Sequence, residues 1–490
     1  MAKAQAAKSR AGGDQASIVV DPTPVFDLSP NLYSQFMEPL GTQDSSVEAC
    51  WDHLKDDWRP EFVAITKKIR PGLMRWGGCF SSYYRWKEAV GPRDKRVPMY
   101  NILWRGIESN QIGTHEFVDL CRRAKTTPFY CVNFESDGRK NWAKIPKWGV
   151  RSAGPAEAAE WVDYCNNPDN RDRKKNGAAE PFDLKLWQLG NETSYDPKGY
   201  DCETAARRTV AFAKAMRKAD PEIELIGWGD SDWAPRMIEA AGEHLNYMAY
   251  HNGYRSTMKN PPFADDQYYK DPDETWAHLM TGVDWAKKKL LLMRQQTDGK
   301  GIPLALTESH YSSFPGLNRG KLFTTWAVGV SYARILNLYQ RNGDALKIAI
   351  ICDYAGTRWL CHGVIVGWKP FMLPVTHVQT LFSHHTGKKA VTVDRAPDYL
   401  DVTASRSGKK VFLHVVNTNR TGNVKAKLEV NGMKIRGGKI FAIAQPSDLE
   451  VYNPETSARL EPVEKPLPAG GSVTFPGASV SAVELTVSGG

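Results

Sequence analysis

No apolar run in this 490-residue chain approaches the roughly 18–20 residues that cross a bilayer. A helical membrane protein is excluded on that ground. Met1 to Asp14 are rich in Ala, Lys and Gly and lack the apolar stretch of a secretory signal. They read as a flexible leader, and the chain reads as cytoplasmic unless a signal was trimmed earlier. No CxxC pair occurs among the eight scattered cysteines, Cys50, Cys79, Cys121, Cys131, Cys165, Cys202, Cys352 and Cys361. That removes the usual zinc spacing, and buried thiols in a reducing compartment are expected. No GxGxxG or GxxxxGK turn is present, so a nucleotide-binding doubly wound sheet loses its signature. The net charge is +9, but the basic clusters at residues 171–175 and 287–289 are short. No aromatics interleave with them as a single-strand stacking platform requires, so they read as solvated faces and no nucleic-acid partner is expected.

What is present is an alternation. From about Asn31 to Lys369, short apolar runs of the kind that form buried parallel strands are followed by helix-like stretches. The strand candidates include Gly72–Trp76, Pro128–Asn133, Leu184–Leu189, Glu224–Gly227, Tyr247–His251, Pro303–Thr307 and Leu346–Cys352. The helix candidates include Thr114–Ala124, Gly154–Cys165, Cys202–Ala219 and Lys321–Gln340. This pattern predicts an α/β protein built on a (β/α)8 barrel over residues 31–370. From about Phe371 short alternating strands with Gly, Pro, Asn and Asp punctuation take over, which predicts an antiparallel β-sandwich over 371–490. Residues 17–30 also alternate and are expected to return to that sandwich as a strand. Residues 1–16 are the leader.

Two strand ends carry the chemistry. Leu184–Leu189 runs directly into Gly190-Asn191-Glu192, and Pro303–Thr307 runs into Glu308. In a barrel the C-terminal strand ends form the active face. A lone strand-end glutamate usually caps the next helix or pairs with an arginine. Two of them, on different strands of one mouth, fit a retaining glycosidase, with one carboxylate as nucleophile and the other as acid and then base. Burial and the neighbouring negative charge are expected to keep the acid protonated.

At this point a resemblance emerges. Arg75-Trp76-Gly77-Gly78-Cys79-Phe80, Tyr84-Arg85-Trp86, Gly91-Pro92-Arg93-Asp94, Ile107–Thr114, Gln188–Glu192, the His251 region and Glu308 resemble, in order, the family 51 α-L-arabinofuranosidases. The resemblance implies a (β/α)8 barrel with Glu192 as acid/base after strand four, Glu308 as nucleophile after strand seven, and an accompanying β-sandwich. It implies sugar contacts from Glu38, in Phe36–Gly41, and from Asn191, His251 and Tyr254. It also implies no metal and no cofactor, a glycoside or oligosaccharide as substrate, and a homo-oligomer.

Two positions depart from the family pattern. Cys79 stands where the family has Asn, and a thiol cannot reproduce a carboxamide's hydrogen bonds. Asp353 stands where the family has Gln, which removes two donors. Both are carried as substrate-binding candidates that alter the pocket. Trp76, Trp86 and Trp104 could stack on sugar faces, but single tryptophans more often sit in a core. The function expected is a retaining exo-acting α-L-arabinofuranosidase-like hydrolase. Its alternatives are a hydrolase of the same clan for another furanoside or a pyranoside, and a non-catalytic carbohydrate-binding barrel.

Overall fold

The structure, a computed structural model, describes residues 16–41, 46–264, 266–311, 321–351, 353–357, 363–445 and 447–489. The expected leader, apart from residue 16, and Cys352 and Cys361 lie outside the described residues.

Strand β1 (Ser17–Asp27) precedes a closed parallel barrel of β2 (Ser34–Met37), β3 (Leu73–Trp76), β4 (Thr127–Val132), β5 (Leu186–Leu189), β6 (Glu224–Trp228), β7 (Tyr247–Tyr254), β8 (Leu304–Tyr311) and β9 (Leu346–Ile351). Each strand pairs with its sequence neighbours, and β9 closes on β2. The helices following the barrel strands are α1 (Pro60–Ile69), α2 (Thr114–Ala124), α3 (Pro155–Asn166), α4 (Cys202–Ala219), α5 (Ala234–Ala241), α6 (Gly282–Thr297), α7 (Trp326–Arg341) and α8 (Pro374–His384). Local chemistry sets their ends. The Asp201 carboxylate accepts from Thr204 N at 2.7 Å to start α4, and Asp220-Pro221 ends it.

The (β/α)8 expectation holds. The strand missing from the sequence-based candidates is β2, four residues that include Ser34 and Gln35. Gln35 is buried because it faces α8, where its Nε2 donates to Gln379 at 2.6 Å. α8 is a second departure. It falls beyond Phe371, in the stretch read as sandwich, yet it packs on α7 and α1 as the eighth barrel helix.

The C-terminal unit is β10 (Lys389–Arg395), β11 (Leu400–Ser407), β12 (Lys410–Asn417), β13 (Val424–Val430), β14 (Met433–Ala444), β15 (Val463–Pro466), β16 (Ser472–Phe475) and β17 (Ser479–Gly489). With β1 they form one curled sheet in the order β15-β14-β17-β12-β11-β10-β1-β13-β16. Pairing is antiparallel except between β1 and β13, which run parallel because β1 arrives from the other end of the chain. The sheet encloses its own apolar core, including Ile18, Val411, Leu428 and Val483. It is tied to the barrel through α7, where Trp326 Nε1 donates to the carbonyl of Ala478 at 2.6 Å.

Side-chain parity positions the site. The barrel floor is apolar, filled by Phe36, Leu73, Phe129, Leu186, Ala249 and Ala305. Two residues further along five of these strands, on the same face, the sequence supplies Glu38, Arg75, Gln188, His251 and Thr307. All five are buried, so the polar layer over the floor is built by the strands themselves.

Candidate active site

Glu308 needs more than parity. In regular β8 it would follow Leu304 and Leu306 outward to the helices. The register between β7 and β8 slips at this point: Tyr250 pairs with Leu306, but His251 pairs with Glu308. The extra residue is Thr307. Such a bulge re-aims the following side chain, so Thr307 and Glu308 both reach the barrel mouth. Thr307 Oγ1 lies 3.0 Å from His251 Nε2, and Glu308 Oε1 accepts from Arg75 Nη1 at 2.8 Å.

Glu192 sits on a strained turn. Its φ is 53°, in the left-handed region that non-glycine residues enter at a cost of order 1–3 kcal/mol. Arg139 Nη2 and Tyr195 N donate to its carbonyl at 3.0 and 2.9 Å and hold it there. Gly190, φ 76°, is required just before, since a Cβ there would lie 2.7 Å from Asp137 Oδ1. Asp137 is the buried anchor of this turn. It accepts from Thr193 Oγ1 at 3.0 Å, from Ser82 Oγ, and from the backbone of Asn191.

The two glutamates meet over His251. Its Nδ1 is 3.0 Å from Glu192 Oε1 and 3.6 Å from Glu308 Oε2. One ligand atom from each of Glu192, His251 and Glu308 lies within 4.8 Å of the others. Cys79 Sγ donates to Glu192 Oε2 at 3.3 Å, and Asn191 Nδ2 lies 3.8 Å from the same sulfur. Glu38 accepts from Trp104 Nε1 at 2.9 Å and from Phe80 N at 3.2 Å. Asp353 is buried close enough to Glu38 to raise its pKa. Glu192 faces solvent with 23% of its side chain, against 9% for Glu308, so the mouth opens on the Glu192 side.

The structure therefore brings together Glu192, Glu308, Glu38, Cys79, Asn191, His251 and Asp353. It does not bring Tyr254. On β7 the odd positions face the barrel and the even ones face the helices. Tyr254 is fully buried in the helix layer, its hydroxyl against that of Tyr339 and its ring 5.4 Å from Tyr311. Parity corrects that assignment. Among the tryptophans, Trp76 packs on Phe117 in the helix layer and Trp86 stacks on Trp161. Trp104 alone of the three reaches the site.

Arg75, the first residue of the Arg75–Phe80 motif and absent from the expected site residues, organises the floor of the site. Fully buried, it donates from Nε to Gln188 at 2.9 Å, from Nη2 to Asn191 at 2.6 Å and from Nη1 to Glu308. The available signal was an arginine at an inward position of an otherwise apolar strand, Leu-Met-Arg-Trp. Tyr195 was missed as well. It is 44% exposed at the mouth, with its hydroxyl donated to Asp230 at 2.6 Å and its ring against Trp228.

The electrostatics differ from the sequence expectation. Burial pushes the Glu192 carboxyl up, but the hydrogen bond and charge of His251, the Cys79 thiol and the Arg139 charge outweigh it and hold it below its usual value. The raised carboxyl is Glu38, pushed well up by burial and by the charges of Glu308 and Asp353. The free protein therefore disfavours the proton expected on Glu192.

Asp137 yields a prediction. Burial raises its pKa from 3.8 to about 6, against the pull of Arg139, Ser82, Thr193 and Asn191. Unfolded, the carboxyl gives up its proton near 3.8; folded, it keeps it to about 6, so rising pH through that window favours the unfolded chain. The effect amounts to about 3 kcal/mol and is complete above the folded pKa. Asp137→Asn is expected to be relatively more stable near neutral pH than near pH 4. Thermal melts of both proteins between about pH 4 and 7 test this, and parallel curves would refute it.

A (β/α)8 barrel with two facing carboxylates at its C-terminal mouth is the arrangement of a retaining glycosidase site. Comparison with known proteins narrows the similarity. The family profile described as "Alpha-L-arabinofuranosidase 1 domain" matches residues 65–273, a span that contains Glu192 and ends before Glu308. Alpha-L-arabinofuranosidase C of Emericella nidulans is 33% identical over 214 residues, 41% of this chain and 39% of that protein. The Intracellular exo-alpha-(1->5)-L-arabinofuranosidase 1 of Bacillus subtilis is 28% identical over 270 residues, 51% of this chain and 50% of that protein. The match thus spans half or less of these curated relatives' length. In fold, the alpha-L-arabinofuranosidase from Thermotoga maritima, solved with arabinose, superposes with a TM-score of 0.77 at 24% identity, covering 96% of this chain and all 100% of that one. A Paenibacillus polymyxa xyloglucanase of glycoside hydrolase family 44 superposes with a TM-score of 0.63 at 14% identity, covering 97% and 100%. The fold is therefore common to proteins whose names specify different sugars.

Proposed function

We propose that this chain is a retaining, exo-acting glycoside hydrolase for α-L-arabinofuranosides, working by double displacement. The observation that carries the reading is the placement of one Glu192 oxygen and one Glu308 oxygen within 4.8 Å of each other at the barrel mouth. Retaining enzymes hold their carboxyl groups at about 5–5.5 Å, and inverting ones at about 6.5–9.5 Å to admit a water. The choice of sugar is supported by the relatives' names and by the profile match over residues 65–273.

Arg75 donates to Glu308 Oε1 and orients the carboxylate, which directs Oε2 to attack the anomeric carbon. As the bond to the leaving oxygen breaks, Glu192 donates a proton to that oxygen. That leaves Glu192 as a carboxylate, held in place by the 3.0 Å contact of its Oε1 with His251 Nδ1. The glycosyl–Glu308 ester then reacts with a water whose proton Glu192 accepts, which frees the sugar and restores both carboxyls. Glu38, Asn191, Cys79 and Asp353 line the pocket as sugar contacts, and the thiols suit a cytoplasmic setting.

Glu192→Ala is expected to cut kcat about 10²–10⁴-fold on glycosides with poor leaving groups. Cleavage of the glycosidic bond in dinitrophenyl glycosides, which need no acid, should be nearly unaffected. Steady-state and burst kinetics across a leaving-group series decide this, and an equal loss on every substrate would remove Glu192 from the acid role. A panel of nitrophenyl furanosides and pyranosides tests the sugar. Turnover of pyranosides alone would overturn the arabinofuranoside reading.

A further inference from the structure

Tyr195 closes the turn that carries Glu192, its N–H donating to the Glu192 carbonyl at 2.9 Å. Its ring is largely open to solvent and stands nearly perpendicular to two neighbours, 5.4 Å from Trp228 and 6.4 Å from His251. Its hydroxyl is already committed, donating to Asp230 Oδ2 at 2.6 Å. Asp230 is fully buried. It is held in turn by Lys289 Nζ and by the backbone N–H groups of Ser231 and His251, at 2.5 and 3.3 Å. Lys289 belongs to the basic run 287–289, which reads in sequence as a solvated face, yet it pairs inward with this carboxyl. A buried carboxyl with its own cation is a costly anchor. What it fixes here is an exposed ring.

Position gives that ring a task. The acid must reach the glycosidic oxygen, so the leaving group lies on the Glu192 side of the pocket. That is the open side, and the Tyr195 ring rises from the Glu192 turn itself. With its hydroxyl spent on Asp230, the side chain offers a substrate an apolar aromatic surface of fixed orientation. Such a surface suits the C–H face of a sugar ring, and its fixed orientation lowers the ordering cost of binding.

We propose that Tyr195 is the platform for the leaving group: its ring stacks on the sugar beyond the scissile bond and so selects oligosaccharides over glycosides with small leaving groups. The proposal rests on the hydrolase reading given above. Stacking is made in the ground state and the transition state alike, so it acts on KM rather than on kcat. It ends when the leaving group departs, so the attack of water on the glycosyl ester does not feel it.

The test compares the full chain with Tyr195→Leu and Tyr195→Phe on two substrates, α-1,5-linked L-arabinobiose and α-L-arabinofuranosyl fluoride, whose leaving group has no ring. Tyr195→Leu is expected to lower kcat/KM on arabinobiose about 10-fold, through KM. On the fluoride the same variant should lose less than about threefold, a rate that also reports a folded protein. Tyr195→Phe keeps the ring, while Asp230 keeps Lys289 and two backbone donors, so most of the affinity should return. The parent alone supplies a second check. It should prefer arabinobiose to methyl α-L-arabinofuranoside, whose leaving alcohol has no ring, by at least about 10-fold in kcat/KM. Equal losses on both substrates, a fall in kcat with KM unchanged, a Phe variant no better than Leu, or parity between arabinobiose and the methyl glycoside would overturn the platform and leave the hydrolase reading standing. A parent that hydrolyses none of the three would overturn the hydrolase reading and the platform with it.

Discussion

Glu308→Ala is expected to lower kcat about 10⁴- to 10⁶-fold on every substrate, leaving-group activation included, because no group remains to attack the anomeric carbon. That uniform loss distinguishes it from Glu192→Ala, whose deficit should shrink with better leaving groups. The alanine also opens a cavity beside Arg75 and His251, which lie 2.8 and 3.6 Å from the two Glu308 oxygens. A small anion such as azide can enter that space and attack from the same face. Partial rescue by azide, with a glycosyl azide of inverted configuration, is therefore expected and is read by NMR of the product. A Glu308→Ala protein with more than about a hundredth of parental activity would contradict the assignment.

The second large effect concerns Arg75. Its guanidinium is fully buried and bonded to Glu308, Gln188 and Asn191, so removing it strands a carboxylate and two amides together. Breaking one partner out of a buried ion pair costs about 3–5 kcal/mol. Arg75→Met is expected to lower Tm by about 3–5 °C. Without the guanidinium, Glu308 loses the donor that orients its Oε1, so kcat should fall by about 10²–10³-fold. Melting curves and steady-state kinetics check both parts. Equal stability and an unchanged kcat would show that Arg75 does not hold the nucleophile.

These two residues mark the limit of what the sequence makes legible. Glu192 and Glu308 are readable because each ends an apolar run, and a barrel places strand ends at one mouth. The apolar runs also locate seven of the eight barrel strands. β2 escapes because its four residues alternate between the barrel interior and α8, and α8 satisfies Gln35 through Gln379. α8 itself escapes because its buried face serves both the barrel and the curled sheet, so no polar stripe announces a surface helix.

The bulge at Thr307 is invisible in sequence, since nothing in Leu-Thr-Glu-Ser states which residue the neighbouring strand will skip. Without it Glu308 would point at the helices. Tyr254 fails for the complementary reason. It lies near His251 in sequence but three positions along the strand, and so on the opposite face. Arg75 is hidden because a buried arginine is defined by its partners, here 113, 116 and 233 positions away. The lowered pKa of Glu192 likewise comes from contacts with His251, Cys79 and Arg139 that strand-end reasoning does not supply.

The central claim is that Glu308 becomes covalently glycosylated while Glu192 handles the protons. The measurement that meets it most directly is mass spectrometry of Glu192→Ala protein mixed with dinitrophenyl α-L-arabinofuranoside and quenched in acid. This variant should form the ester quickly and hydrolyse it slowly. The account predicts a mass increase of one arabinosyl group, mapped after peptic digestion to the peptide containing Ile302–His310 and within it to Glu308. An arabinosyl group on any other residue, or turnover with no adduct, would contradict it.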